Sequence, residues 1–149
     1  FDSSVFPSYR PGVYNNLRSP LEPYFPEEAN ELVEIPISTL PYLRIPLSHS
    51  YLKLFGRPYL RYLNYCSLPD AVVYNVHLQD LYRTDSHQQL PSIKKAVYDR
   101  NMEWSDSLLR NVVEIARKQG YEFQCISQIF KNTIEDHDIR SVHPCDEVP

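Results

Sequence analysis

The order of apolar and polar residues predicts three short strands after the first thirty residues. Residues 32–38, LVEIPIS, and residues 71–77, AVVYNVH, are mostly apolar and rich in β-branched side chains, which is typical of strands. The second segment is almost continuously apolar, as buried parallel strands are. Residues 121–126, YEFQCI, are predicted to form the third strand.

Segments with helical spacing of apolar residues lie between and after these strands. Residues 48–64 are predicted to form two short helices, because Gly56 and a nearby proline interrupt the pattern. A longer amphipathic helix is predicted to start at Ser105, which can cap it, and to end at Gln119, followed by a short helix over 127–132. Strands that alternate with helices favour an α/β fold with parallel pairing, either a doubly wound sheet or part of a barrel.

The two ends of the chain differ from this alternating middle. The first thirty residues contain five prolines, which predicts an ordered loop or an extended segment. Residues 134–149 are polar and aperiodic, so we expect this tail to fray or to pack loosely. The chain starts with Phe1 instead of methionine, which favours a fragment of a longer protein.

Composition and charge narrow the range of partners. The apolar fraction of 42% and the charged fraction of 23% are ordinary for a folded protein. The net charge of -4 and the lack of a Lys/Arg cluster argue against nucleic acid as a partner, because phosphate binding needs a basic surface. No apolar run is long enough for a transmembrane segment.

Three segments, in this order, resemble the later part of NodB-like polysaccharide deacetylases. They are residues 1–16, FDSSVFPSYRPGVYNN, residues 32–47, LVEIPISTLPYLRIPL, and residues 72–81, VVYNVHLQDL. The amphipathic helix, glycine and last strand within residues 94–129 are similar to the end of such domains. The resemblance implies that residues 1–133 are the C-terminal part of a deformed parallel β/α barrel, incomplete in this chain, followed by the tail at 134–149.

The resemblance also implies a function, the metal-dependent hydrolysis of N-acetyl groups on amino sugars. In that family an aspartate and two histidines near the start of the domain bind a divalent, zinc-like metal. This chain has neither an aspartate pair nor a His-x-x-x-His motif, so the metal ligands are expected outside it. The fragment alone is therefore expected to be inactive, and its partners are a carbohydrate substrate and the missing N-terminal part of the barrel. Self-association is the alternative, because an incomplete barrel leaves open sheet edges.

His77 is the candidate catalytic residue. It ends the predicted strand 71–77, where the family places a histidine that protonates the departing amine, although the usual Leu-x-His sequence is replaced by Asn-Val-His. An imidazole gains and loses a proton near neutral pH, which suits a general acid. Asp80 follows closely enough to orient His77 if the loop turns back. The alternative is a histidine that merely ends a strand and hydrogen-bonds to nearby backbone.

Five residues are candidates for binding the substrate. Tyrosine can stack on a sugar ring while its hydroxyl stays hydrogen-bonded, and Tyr9, Tyr14 and Asn15 share the proline-rich segment. Ser38 ends a predicted strand on the same side as His77, and Asp80 follows that histidine. Ordinary packing for the tyrosines and a turn for Ser38 are the alternatives. The competing function is a non-catalytic carbohydrate-binding or scaffold domain.

Overall fold

The structure is a computed structural model that describes residues 2–10, 12–27 and 32–142. Within these residues, most of the regular secondary structure is helical. A short hairpin of β1 (Tyr9–Arg10) and β2 (Tyr14–Asn15) comes first. The helices that follow are α1 (His49–Phe55), α2 (Arg57–Tyr65), α3 (Leu78–Leu81), α4 (Ser92–Asp99), α5 (Ser105–Lys118) and α6 (Ile126–Val142), with 3-10 helices at Asp85–Gln89 and Met102–Trp104.

The predicted parallel β/α barrel is wrong for the described residues. Their one sheet is the antiparallel pair β1 and β2. The predicted strands 32–38 and 71–77 are extended, but each is paired only through isolated bridges, and residues 121–125 belong to no strand. A strand needs a neighbour that pairs along its length. The segment 32–47 contains Pro36 and two further prolines without N–H groups, which interrupt such pairing.

The helical predictions were closer to the structure. Two short helices do form within residues 48–64, and Gly56 separates them with a φ of 63°, a conformation that glycine adopts without steric cost. The long amphipathic helix is confirmed as α5. The predicted cap is wrong, because Trp104 occupies the N-cap position and Ser105 is the first residue of the helix.

The end of the described chain also differs from the sequence-based expectation. Helix α6 continues to Val142 instead of ending at residue 132. Helix α4 was missed, although Ile93, Ala96 and Val97 have helical spacing, because its eight residues are few and follow a proline and a polar loop. Residues 143–149 of the predicted tail lie outside the described residues. No helix in the described ranges has the length and apolar character needed to cross a membrane.

The core forms around an extended, proline-rich segment. Every residue from 33 to 40 is buried, and the helices α1, α2 and α5 pack against one another beside it. Tyr59 and Tyr62 of α2 donate hydrogen bonds from their hydroxyls to the carbonyls of Pro46 and Pro41, at 2.8 Å each. These bonds hold a segment that cannot form a regular ladder. The buried apolar cluster comprises Leu40, Leu47, Leu52, Tyr59, Leu63 and Leu108.

Substitution of Leu52 tests how much this apolar cluster contributes to the free energy of unfolding. Its side chain is fully buried between α1 and the rest of the core, so Leu52→Ala should lower the free energy of unfolding by about 2–5 kcal/mol in urea denaturation. Leu43→Ala is the matched control because that leucine is 56% exposed, and its effect should stay within about 0.5 kcal/mol. Equal losses in the two variants would contradict the assignment of this core.

Candidate functional site

His77 lies at the point where the extended segment 71–76 ends and helix α3 begins. It is the N-cap residue of α3, and its side chain is exposed. In the part of the chain that the structure describes, the one side-chain hydrogen-bond partner of the ring is Asn75, whose Nδ2 lies 3.4 Å from Nε2. The imidazole is therefore accessible from solvent and close to a polar amide.

Asp80 fixes the backbone beneath this imidazole. Its carboxylate is fully buried; Oδ2 accepts the backbone N–H of His77 at 3.0 Å, and Oδ1 accepts the hydroxyl of Ser50 at 2.6 Å. A carboxylate buried without such donors would be strongly unfavourable. The Asp80 carboxylate thus holds the backbone of His77, and the two residues form a capping box at the start of α3.

The backbone carbonyl of Asp80 accepts the first of three consecutive hydrogen bonds that form a buried chain of bonds. Ser105 donates its hydroxyl proton to this carbonyl at 2.5 Å. The Oγ of Ser105 lies 2.8 Å from Nε2 of His49, whose Nδ1 lies 2.9 Å from the hydroxyl of Tyr74. His49 is fully buried and Ser105 is 1% exposed, so this chain has no open access to solvent.

The donor and the acceptor of each of these hydrogen bonds follow from the group at the end of the series, the backbone carbonyl of Asp80. A carbonyl can only accept, so the single proton of the Ser105 hydroxyl goes to Asp80. Nε2 of His49 must then carry a proton that it donates to Ser105, and Nδ1 accepts from Tyr74. A serine nucleophile needs the reverse, a histidine that accepts the hydroxyl proton. This serine–histidine pair is therefore structural.

Lys53 lies on the neighbouring turn of α1 and is buried to 1% exposure. Its Nζ donates to the carbonyl of Tyr98 at 2.7 Å and lies 3.7 Å from the Sδ of Met102. Burial lowers the pKa of this amine, although the carboxylates of Asp80 and Asp99 act in the opposite direction. The lysine connects α1 to α4 and to the 3-10 helix after it.

The tyrosine candidates come together in the hairpin. Tyr9 is 57% exposed and pairs across the two strands with the exposed Asn15. Tyr14 is partly buried; its ring stacks on Phe6 with centroids 6.4 Å apart, and its hydroxyl lies 3.3 Å from the Oγ of Ser8. Within the described ranges, no hydrogen bond or ring contact joins the hairpin to His77. Tyr9 and Asn15 therefore form a surface of their own.

Ser38 has a different place from the one that the sequence suggested. It is 1% exposed, and its Oγ accepts the N–H of Val73 at 2.9 Å and lies 3.5 Å from the carbonyl oxygen of Ala71. The hydroxyl thus accepts a hydrogen bond that the carbonyl of a neighbouring strand would accept in a sheet, and it does so from the segment that leads to His77. Ser38 supports the backbone of the site from behind instead of facing an open pocket.

A divalent metal is the cofactor that the family resemblance implies. Among residues 2–10, 12–27 and 32–142, no three His, Cys, Asp or Glu side chains are grouped so that they could hold a metal ion. The described part of the chain does not fit the metal. The expectation that the ligands belong to other residues stays a prediction.

Comparisons with known proteins add no relative to this description. No family model, no curated protein and no solved structure matches the chain. The resemblance to NodB-like deacetylases therefore depends on the segments quoted above.

His49 makes the stability of the fold depend on pH. Burial lowers the pKa of His49 below its ordinary value of 6.5, although Asp80 acts in the opposite direction. The unfolded chain then takes up a proton at a higher pH than the folded chain does. The free energy of unfolding should be highest above about pH 7 and should decrease as the pH falls below 6.5 towards the folded pKa.

The measurement is urea denaturation at a series of pH values between 7.5 and 5, as about this range spans the ordinary titration of histidine. The control is His49→Gln, which keeps a donor and an acceptor but does not titrate. The variant should be less stable at pH 7.5 and should show a flatter dependence on pH. A dependence as steep as that of the wild type would assign the effect to another group.

Proposed function

We propose that this chain is the C-terminal part of a metal-dependent carbohydrate deacetylase, in which His77 is the general acid. The proposal rests on the order of the three family-like segments and on one feature of the structure. That feature is an exposed imidazole whose backbone is held by the buried carboxylate of Asp80. It does not depend on the barrel, which the described residues do not form.

The arrangement suits the delivery of one proton. When the C–N bond of an N-acetyl group breaks, the nitrogen must be protonated before the amine leaves, and a positioned imidazolium can supply that proton. Asn75 can support both states of the ring, since its amide offers a donor to a bare nitrogen and an acceptor to a protonated one. The buried contacts of Asp80 limit movement of the His77 backbone between turnovers.

The same proposal assigns the other parts of the reaction to residues beyond those described. The metal and the groups that hold it would come from the remaining part of a longer protein. The substrate class would be an oligosaccharide or polysaccharide that contains N-acetyl amino sugars.

His77→Ala in the full-length protein is the direct test. With metal supplied, the variant should release acetate from N-acetylglucosamine oligomers with a kcat lowered by about 10²- to 10⁴-fold, because a positioned acid contributes an effect of this size. KM should change little. Acetate release and circular dichroism are measured on the same samples.

His87→Gln is the matched control. That histidine is 5% exposed beside Asp99, with 3.2 Å between Nε2 and Oδ1, in a separate contact that the proposed reaction does not use. Its kcat per folded molecule should stay near that of the wild type. Undiminished turnover of folded His77→Ala would assign the proton to another acid, and a full-length protein without acetate release would reject the deacetylase itself.

The hairpin favours a second candidate, a carbohydrate-binding surface without catalysis. An exposed tyrosine ring opposite an amide offers both a stacking face and a hydrogen-bonding group for one sugar. Tyr9→Ala should then weaken binding of N-acetylglucosamine oligomers to this chain about threefold to tenfold in calorimetry. Tyr42→Ala is the control, because Tyr42 is 97% exposed in a different loop. Equal affinities for the two variants would remove the hairpin as the binding surface.

A further inference from the structure

A large apolar groove lies on the side of α5 that faces residues 121–133. The cavity has a volume of about 800 Å³ and reaches from α5 to residues 68–74. Its floor includes Val72, Val112 and Ile115, which pack against the edge of the buried core. We call this surface the α5 groove.

The charged residues that line the α5 groove in the described part of the chain are Glu22, Asp70 and Glu122, and all three are exposed. Arg117 lies beside the groove, with its guanidinium 5.6 Å from the ring centroid of the lining residue Phe123. Tyr121 also lines the groove, and its hydroxyl donates a hydrogen bond to the carbonyl of Pro69 at 2.7 Å. Burial raises the pKa of the Tyr121 hydroxyl, and the carboxylates of Asp70 and Glu22 raise it further. The groove is therefore apolar inside and negative at its rim.

One wall of the α5 groove is the extended segment 72–75, which is hydrogen-bonded to neighbouring segments on one side. The N–H of Asn75 donates to Leu47, its carbonyl accepts from His49, and the carbonyl of Val73 accepts from Ser38. These residues point their main-chain groups away from the groove. In an extended segment the alternate residues, Val72 and Tyr74, point theirs to the opposite side.

No described residue forms a hydrogen bond with the N–H or the carbonyl of Val72 or Tyr74. Both residues line the α5 groove. Across it, the main-chain groups of residues 122–124 likewise have no hydrogen-bond partner among the described residues. Unpaired edges of this kind accept an added strand.

We propose that the α5 groove binds an extended polypeptide segment as an added β-strand along Val72 and Tyr74. The segment presents apolar side chains at every second position, towards the floor of the groove. Its remaining positions carry Lys or Arg, which face the acidic rim. Main-chain hydrogen bonds give such a complex its affinity, and the alternating side chains give it its specificity.

The charges select this occupant over a second copy of the groove. Two grooves placed face to face would bring Glu22, Asp70 and Glu122 against their own copies, and like charges across an interface are unfavourable. A basic segment neutralises them. This inference concerns a surface separate from His77 and does not rest on the proposed deacetylase activity.

The test uses synthetic peptides and this chain. The probe is a labelled, end-capped peptide of about eight residues that alternates valine and lysine, long enough to span the edge. Two matched peptides carry glutamate in place of lysine, or N-methyl groups on the central amides. Fluorescence anisotropy should show binding of the first peptide and at least about tenfold weaker binding of the other two.

Two measurements locate the binding. Hydrogen exchange at the amides of Val72 and Tyr74 should slow when the valine–lysine peptide is bound. Val72→Pro removes the N–H that points into the groove without breaking a hydrogen bond of the free protein, and it should weaken binding about tenfold. If that variant does not fold, the N-methylated peptide and the exchange data still decide whether the peptide binds as an added strand.

A pair of triple variants separates the rim from the overall charge. Glu22→Gln with Asp70→Asn and Glu122→Gln should weaken binding about tenfold, because it neutralises the rim. The control carries Asp85→Asn, Glu103→Gln and Glu114→Gln, exposed residues away from the lining of the groove, and has the same net charge. Its affinity should match that of the wild type.

Several results would overturn the proposal. Absence of binding up to about 1 mM would do so, as would equal binding of the N-methylated peptide, which would show that no strand is added. Equal losses in the two triple variants would reduce the interaction to net charge. A dimer in sedimentation that the rim variant dissociates would assign the groove to a second copy.

Discussion

The buried Asp80 connects the three places in the chain where polar chemistry is concentrated. Its carboxylate accepts hydrogen bonds from Ser50 of α1 and from the backbone of His77, and its carbonyl accepts one from Ser105 at the start of α5. Because an unpartnered buried charge is strongly unfavourable, the starts of α1 and α3 must keep their relative positions whenever the protein is folded, and the bond from Ser105 joins the start of α5 to them. The backbone of the accessible His77 is thus connected through Asp80 and Ser105 to the buried His49.

The sequence predicted the helices better than the strands, for a physical reason. The two short helices around Gly56 and the long α5 depend on contacts between residues three or four positions apart, which a single sequence displays. A strand depends on a partner that is distant in sequence. The segments 32–38 and 71–77 have strand-like composition, but their partners pair with them at isolated bridges, so composition alone overstated the sheet.

The candidate site shows the same division between local and distant information. His77 and Asp80 were found because they follow a conspicuous apolar segment, yet the atoms that Asp80 binds were not predictable without the turn of α3. The bonds of His49 to Tyr74 and Ser105 were missed, because those partners lie 25 and 56 positions along the chain. Ser38 was noticed at a strand end, but its support of Val73 depends on the packing of two extended segments.

Lys53 gives the molecule an internal reporter of opening. Its amine is buried and donates a hydrogen bond to the carbonyl of Tyr98, so an acylating reagent can react with it only after local opening exposes it. While α1, α4 and the 3-10 helix around Met102 stay packed, the side chain is out of reach. Labelling of Lys53 would therefore proceed only as fast as these elements separate. If Lys53 is acylated slowly while exposed lysines react fast, the rate at Lys53 would measure how often this part of the core opens.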